Sequence, residues 1–264
     1  MNKSISIAIA ASLLMNSGIA NAQDVNIGKN NITLNSDVMT PETLWAMGRI
    51  AHAQASPDGS KIVYQVGYYS VKEDKGHQVL CMMDANGQNV RQLTTSATSE
   101  SSAAWLDNTT IAFLSEGQIW TMKSDGSARK KLTNSETEIE GFLFSPDRSK
   151  VILIKSIPYY GTINKKPADL PKTTGLVITD MNYRHWDHYV QTIAHPYLAD
   201  VTAQGIGEGY DILEGEPFES PLAPFGGSEQ FAWSNDSKTI AYTCRKKEGV
   251  KYATSTDSDI FLYD

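Results

Sequence analysis

Only two cysteines, Cys81 and Cys244, occur in 264 residues, so neither a Cys-x-x-Cys pair nor a disulfide framework can be written. Each lies in a β-patterned run, "VLCMM" and "IAYTC". Cysteine packs as a small hydrophobe, so they read as two buried thiols in different sheets. Gly-x-Ser-x-Gly, His-Glu-x-x-His and the Walker pattern are also missing. Their absence removes the local signatures of a hydrolase nucleophile elbow, a zinc peptidase and a nucleotide-phosphate loop. Basic excess is missing too. The formal net charge is −7, which leaves nothing to neutralise phosphates and argues against nucleic acid or an anionic membrane as partner. The densest basic cluster, Arg245-Lys246-Lys247, is short and reads as a solvated hairpin tip. No apolar run is long enough to span a bilayer.

What is present begins with a targeting segment. Lys3 supplies a positive start, residues 5–14 are apolar, and Ala20-Asn21-Ala22 offers the small-x-small pattern of signal-peptide cleavage. This predicts a signal peptide over 1–22, cleavage after Ala22, and a periplasmic or secreted protein without a membrane anchor. Residues 23–52 read as an N-terminal extension. Within it "TPETLWAMGRIAH" predicts a short helix with Thr40 as N-cap, Pro41 in the first turn, and Leu44, Met47 and Ile50 on one face.

From residue 53 the chain repeats itself. "QASPDGSKIVY" at 54–64 returns as "FLFSPDRSKVIL" at 142–153 and "FAWSNDSKTIAY" at 231–242, with a shorter copy, "AAWLDNTTIAF", at 103–113. The second halves repeat as well: "HQVLCMMDANGQNVRQLT" parallels "GQIWTMKSDGSARKKLT". Pro57 presets φ for a tight turn, Asp58 caps it and Gly59 takes positive φ freely; Asn86-Gly87 and Asp125-Gly126 do the same for the outer hairpins. A unit of about 40 residues with four short strands is one propeller blade. The fold class read from this is all-β: an incomplete β-propeller over 53–264, of three to four four-stranded blades in the WD40-like or TolB-like manner. Blade one spans about 53–95 and blade two 103–134. Blade three starts at 141 and carries a long insertion before its third strand, "HPYLADV". Blade four begins near 229 and has "SDIFLYD" as its third strand, so the ring is expected to continue in a longer protein.

Candidate chemistry is sparse. "YRHWDHYVQTIAHP" collects His185, Asp187, His188 and His195, which suit a packed insertion better than a metal site. "GIGEG" at 205–209 follows no buried strand and opens no helix, so it reads as a turn between strands. "DILEGEPFESP" brings Glu214, Glu216 and Glu219 together. It is either a solvated connecting strand or a source of one carboxylate that meets a cationic substrate group. No cofactor is expected.

The blade repeats, "MTPETLW", "GFLFSPD", and above all "ITDMNYRHWDHYVQTIAHPYLADV" followed by "DILEGEP", resemble the N-terminal half of the S9 (prolyl oligopeptidase) family of serine peptidases, and within it the bacterial dipeptidyl-peptidase 5 branch. The resemblance covers essentially the whole mature chain. It implies a propeller that caps a C-terminal α/β-hydrolase domain carrying a Ser-Asp-His triad, and short peptides with a free N-terminus as substrates. No triad residue can be assigned here. The resemblance further suggests Glu214, Glu216 or Asp187 for the substrate ammonium or the domain interface. A non-catalytic TolB-like periplasmic propeller that binds a partner protein is the competing expectation.

Overall fold

A computed structural model describes residues 27–30, 33, 36–159, 169–170, 172–174 and 190–264. The signal-peptide expectation, and His185, Asp187 and His188, lie outside the described residues.

A one-turn helix, α1 (Pro41–Ala46), precedes four antiparallel sheets. Blade one is β1 (Arg49–Ala55), β2 (Lys61–Ser70), β3 (Lys75–Asp84) and β4 (Arg91–Gln92). Blade two is β5 (Glu100–Trp105), β6 (Thr110–Ser115), β7 (Gln118–Lys123) and β8 (Lys130–Lys131). Blade three is β9 (Ile139–Phe144), β10 (Lys150–Pro158) and β11 (Thr192–Thr202), whose outer edge is taken by β12 (Gly205–Ile206) and then β13 (Tyr210–Asp211). Blade four has β14 (Phe231–Trp233), β15 (Ile240–Cys244) and β16 (Asp259–Tyr263), with a short helix α2 (Val250–Thr254) inside the last hairpin. The sheets follow the order of the repeat, with β1 beginning at Arg49, inside the stretch read as the N-terminal extension, and β5 at Glu100, ahead of the expected start at 103.

The repeated turn works as its residues suggest. Ser56 Oγ donates to Asp58 Oδ1 at 2.6 Å, Ser60 N donates to the same oxygen at 3.0 Å, and Lys61 N donates to Ser56 Oγ at 3.0 Å. Ser145 and Asp147 rebuild this in blade three, and Ser234 and Asp236 in blade four. The left-handed residue that follows is Gly59 in blade one but Arg148 (φ 64°) and Ser237 (φ 62°) in the others. Each of these two carries strain of about 1 kcal/mol and spends its side chain across a seam. Arg148 Nη2 donates to Trp105 O at 3.1 Å, and Ser237 Oγ accepts from Asp147 N at 3.1 Å. The recurrent Leu-Thr also gains a reason. Thr94 Oγ1 accepts from Leu80 N, and Thr133 Oγ1 from Ile119 N, so a buried hydroxyl finishes the third strand's ladder in blades one and two.

Alternation along each strand feeds two seams at once. Ile111 and Phe113 pack with Val63, Leu80 and Met82 of blade one. Their neighbours Ala112 and Leu114 pack with Phe142, Val151 and Leu153 of blade three. Ile152 and Ile154, between those, meet Phe231, Ile240 and Tyr242 of blade four. Two tryptophans tie the inner strands together: Trp105 Nε1 donates to Gln54 O, and Trp233 Nε1 to the equivalent Leu143 O, each at 3.2 Å.

Several expectations need correction. The helix stops at Ala46: Met47 is extended and Ile50 already belongs to β1, because the pull of sheet pairing along β2 overrides the helical spacing. The basic cluster is not merely solvated. Lys246 pairs with Glu216 at 2.6 Å, Lys247 with Asp257 at 2.5 Å, and the Arg245 guanidinium lies over the Tyr252 ring. "GIGEG" does follow a buried strand, β11. It supplies β12 and then Glu208, which accepts from the buried Lys155 and from Ser135 Oγ. Both cysteines are free and buried, in β3 and β15 as expected; burial pushes the Cys244 thiol up to about 11.

Candidate functional site

Three of the four innermost strands carry a bulge at or next to one position of the repeat. The β1–β2 register shifts between Ala51 and Gln54, leaving His52 at φ 48°. The β5–β6 register shifts between Ser101 and Ala104, leaving Ser102 at φ 54°. In β9 the shift falls at Glu140, beside Gly141, where a Cβ would come within 2.8 Å of Ile154 Cδ1. His52, Ser102 and Gly141 are equivalent positions of the repeat. A bulge there turns its residue out of the ladder and re-aims it, and the three bulges converge on one cavity of about 390 Å³.

The opposite wall is the loop that enters blade four. Leu222 N donates to Gln230 Oε1 at 2.8 Å and Gly226 N to Leu222 O at 2.8 Å, which closes the loop on itself. Gly226 has to be glycine, since a Cβ would sit 2.4 Å from Leu222 O. Ser220 anchors the loop's start, with its N–H on Ala194 O and its hydroxyl on Thr243 O.

Two carboxylates line this cavity, Glu140 and Glu229. Each has one oxygen engaged: Glu140 Oε1 accepts from Ser156 Oγ at 2.6 Å, and Glu229 Oε1 accepts from Gly227 N at 2.8 Å. The Oε2 atoms make no hydrogen bond within the described residues. An acidic mouth with one oxygen free on each side suits a cationic group such as an ammonium.

The carboxylates singled out from sequence sit elsewhere. Glu214 is exposed and does not line the cavity; Glu216 is held by Lys246, whose own pKa is raised by that bond. Glu219 is buried and receives the Tyr252 hydroxyl. Asp187 lies outside the described residues. His195 is fully buried, with Nδ1 2.7 Å from Asp211 Oδ2. Within the described residues no three His, Cys, Asp or Glu side chains come together as metal ligands would. Glu140 and Glu229 escaped the sequence reading, although Glu140 directly precedes the glycine of the third repeat.

No protein-family model matches the chain. Among curated proteins it is 40% identical to dipeptidyl-peptidase 5 of Porphyromonas gingivalis over its whole length, which is 38% of that protein. It is 24% identical to dipeptidyl-peptidase 5 of Aspergillus fumigatus, over 85% of this chain and 34% of that one. The chain thus spans little more than a third of the relatives it matches. Among solved structures, the acylaminoacyl peptidase of Pyrococcus horikoshii superposes with a TM-score of 0.55 at 11% identity, covering 84% of this chain and 32% of that one. That likeness concerns the fold alone.

Proposed function

We propose, on the premise that the chain is a homologue of dipeptidyl-peptidase 5 and carries the propeller part of an S9-family peptidase, that it gates and positions short peptides for hydrolysis by a C-terminal Ser-Asp-His domain of a longer parent protein. Covalent catalysis of that kind needs a preorganised, water-poor site. A propeller over its mouth admits an extended peptide end and turns away a folded protein.

The observation that carries this reading is the convergence of three inner-strand bulges and two half-engaged carboxylates on one cavity. Glu140 and Glu229 are its proposed acceptors for the free N-terminal ammonium of the substrate. Glu214, Glu216 and Asp187 are the alternative acceptors, Glu216 only by giving up Lys246. The test is a steady-state comparison in the parent enzyme on a dipeptidyl substrate. Losing one charged contact that is equal in ground and transition state raises KM about tenfold at constant kcat. Glu140→Gln and Glu229→Gln are expected to do so. A KM increase confined to Glu214→Gln, Glu216→Gln or Asp187→Asn would move the site, and none in any of the five would end the ammonium reading.

Export belongs to the same proposal. Lys3, the apolar residues 5–14 and Ala20-Asn21-Ala22 support a protein cut after Ala22 and working in the periplasm or outside the cell. An intact mass beginning at Gln23 checks it; one that retains Met1 refutes it.

A further inference from the structure

One cation near the start of the fold has no anionic partner among the described residues. The Arg49 guanidinium lies 5.0 Å from the Trp45 ring centroid and 4.4 Å from that of Tyr69, and the two rings meet edge-on at 5.6 Å. Arg49 makes no ion pair with any described residue. Of the acids near it in sequence or at the hairpin tip, Glu42 bonds at the start of α1 and Glu73 lies 3.8 Å from Lys72, and no ion pair joins Asp74 to Arg49 among the described residues. Beside the rings runs a groove of about 310 Å³ between Trp45 and the tip of the β2–β3 hairpin. Its own Asp74 and Lys75 cancel in formal charge. Val71 lines the groove and is 69% exposed, and Leu44, Met47 and Ile50, which flank Trp45 and Arg49 in the chain, are exposed as well.

Exposed apolar clusters of this kind mark contact surfaces, and Trp, Tyr and Arg are the residues that anchor them. A guanidinium stacked between rings has its fork fixed before anything binds, which matches a carboxylate in two-point geometry. We propose that the Trp45–Arg49–Tyr69 clasp docks a protein segment that presents an Asp or Glu carboxylate between aliphatic or aromatic side chains. The carboxylate takes the Arg49 fork, and the apolar neighbours cover Leu44, Met47 and Val71.

The whole chain is tested on immobilised dodecapeptides that carry a single Asp or Glu among Leu, Ile and Phe, against a matched set with Asn or Gln in its place. The acidic set should bind about tenfold more tightly, which is the weight of one charge-assisted pair. Arg49→Gln should erase the preference while leaving the melting temperature unchanged, and Trp45→Ala should weaken both sets. Equal binding of the two sets, no binding to either, or a preference that survives Arg49→Gln would overturn the proposal. Vesicles containing about one-third phosphatidylserine form a second arm. Arg49-dependent binding to them without binding to the acidic peptides would assign the patch to lipid and overturn it equally.

Discussion

Replacing Trp105 by Phe tests the seam that holds blade two to blade one. Trp105 is 5% exposed, packs with Val63, Leu80 and Met82, and donates its indole N–H to Gln54 O at 3.2 Å. Phenylalanine keeps the aromatic contact and removes the donor. Losing one such hydrogen bond costs about 1 kcal/mol. The smaller ring leaves a void of roughly 40 Å³, which at about 24 cal/mol per Å³ costs about 1 kcal/mol more. Together these give about 2 kcal/mol, or a fall of about 0.7–1 M in the urea midpoint for a slope of about 2–3 kcal/mol/M.

Urea unfolding followed by far-UV circular dichroism reads this directly, with the slope expected to stay constant. Trp45→Phe is the control, since that ring is 43% exposed and Phe keeps its aromatic contact, so its replacement should stay within about 0.5 kcal/mol. The structure contains its own comparison: blade three has Phe144 at the position of Trp105 and Trp233. The seam it shares with blade two is bridged instead by Arg148 reaching Trp105 O. A midpoint shift under about 0.2 M for Trp105→Phe, or an equal shift for Trp45→Phe, would refute the view that the indole N–H pins the inner strands.

Two further outcomes follow from the turns. Arg148→Gly relieves about 1 kcal/mol of left-handed strain while giving up the bond to Trp105 O, whereas Arg148→Ala keeps the strain and loses the bond. The glycine variant should therefore melt higher than the alanine variant, and the reverse order in calorimetry would disprove the strain. Asp58 and Asp147 are held down to about 2, chiefly by the hydroxyls of Ser56 and Ser145 and then by N–H and O–H donors of Ser60 and Ser149. A carboxylate depressed in the folded state adds stability above its unfolded pKa of about 4, and that stability is lost as pH falls towards about 2. Asp58→Asn with Asp147→Asn should flatten the pH dependence of stability in that window; an unchanged slope would show that these turns are not its source.

The blades were legible because their signals are local. Ser-x-Asp turns, two-residue alternation and Leu-Thr closures each lie within a dozen residues, and the turn's hydrogen bonds recur in blades one, three and four while the Leu-Thr bond recurs in blades one and two. Long-range pairing was not legible. Nothing near Glu216 in sequence names Lys246 as its partner, since the two meet only when the β15–β16 connection folds back beside the segment leading into blade four. The helix over-ran for a related reason: the spacing of Leu44, Met47 and Ile50 fits a helix, but Arg49 and Ile50 find better partners in Gly67 and Val66 of β2.

The cavity was hidden by the rule that revealed the strands. Alternation assigns each residue to a face by counting in twos, and a bulge inserts one residue and reverses the count. His52, Ser102 and Glu140 all sit at that reversal, so parity alone gives them no consistent side. Comparing repeats around the bulge recovers them, because His52, Ser102, Gly141 and Gln230 align, and one residue earlier Glu140 aligns with Glu229, Ala51 and Ser101. The variable residue within a constant frame is the one free to differ from blade to blade. A site assembled at this cavity is therefore to be sought where the copies disagree, at the bulges of the inner strands, rather than in the turns and seams where they agree.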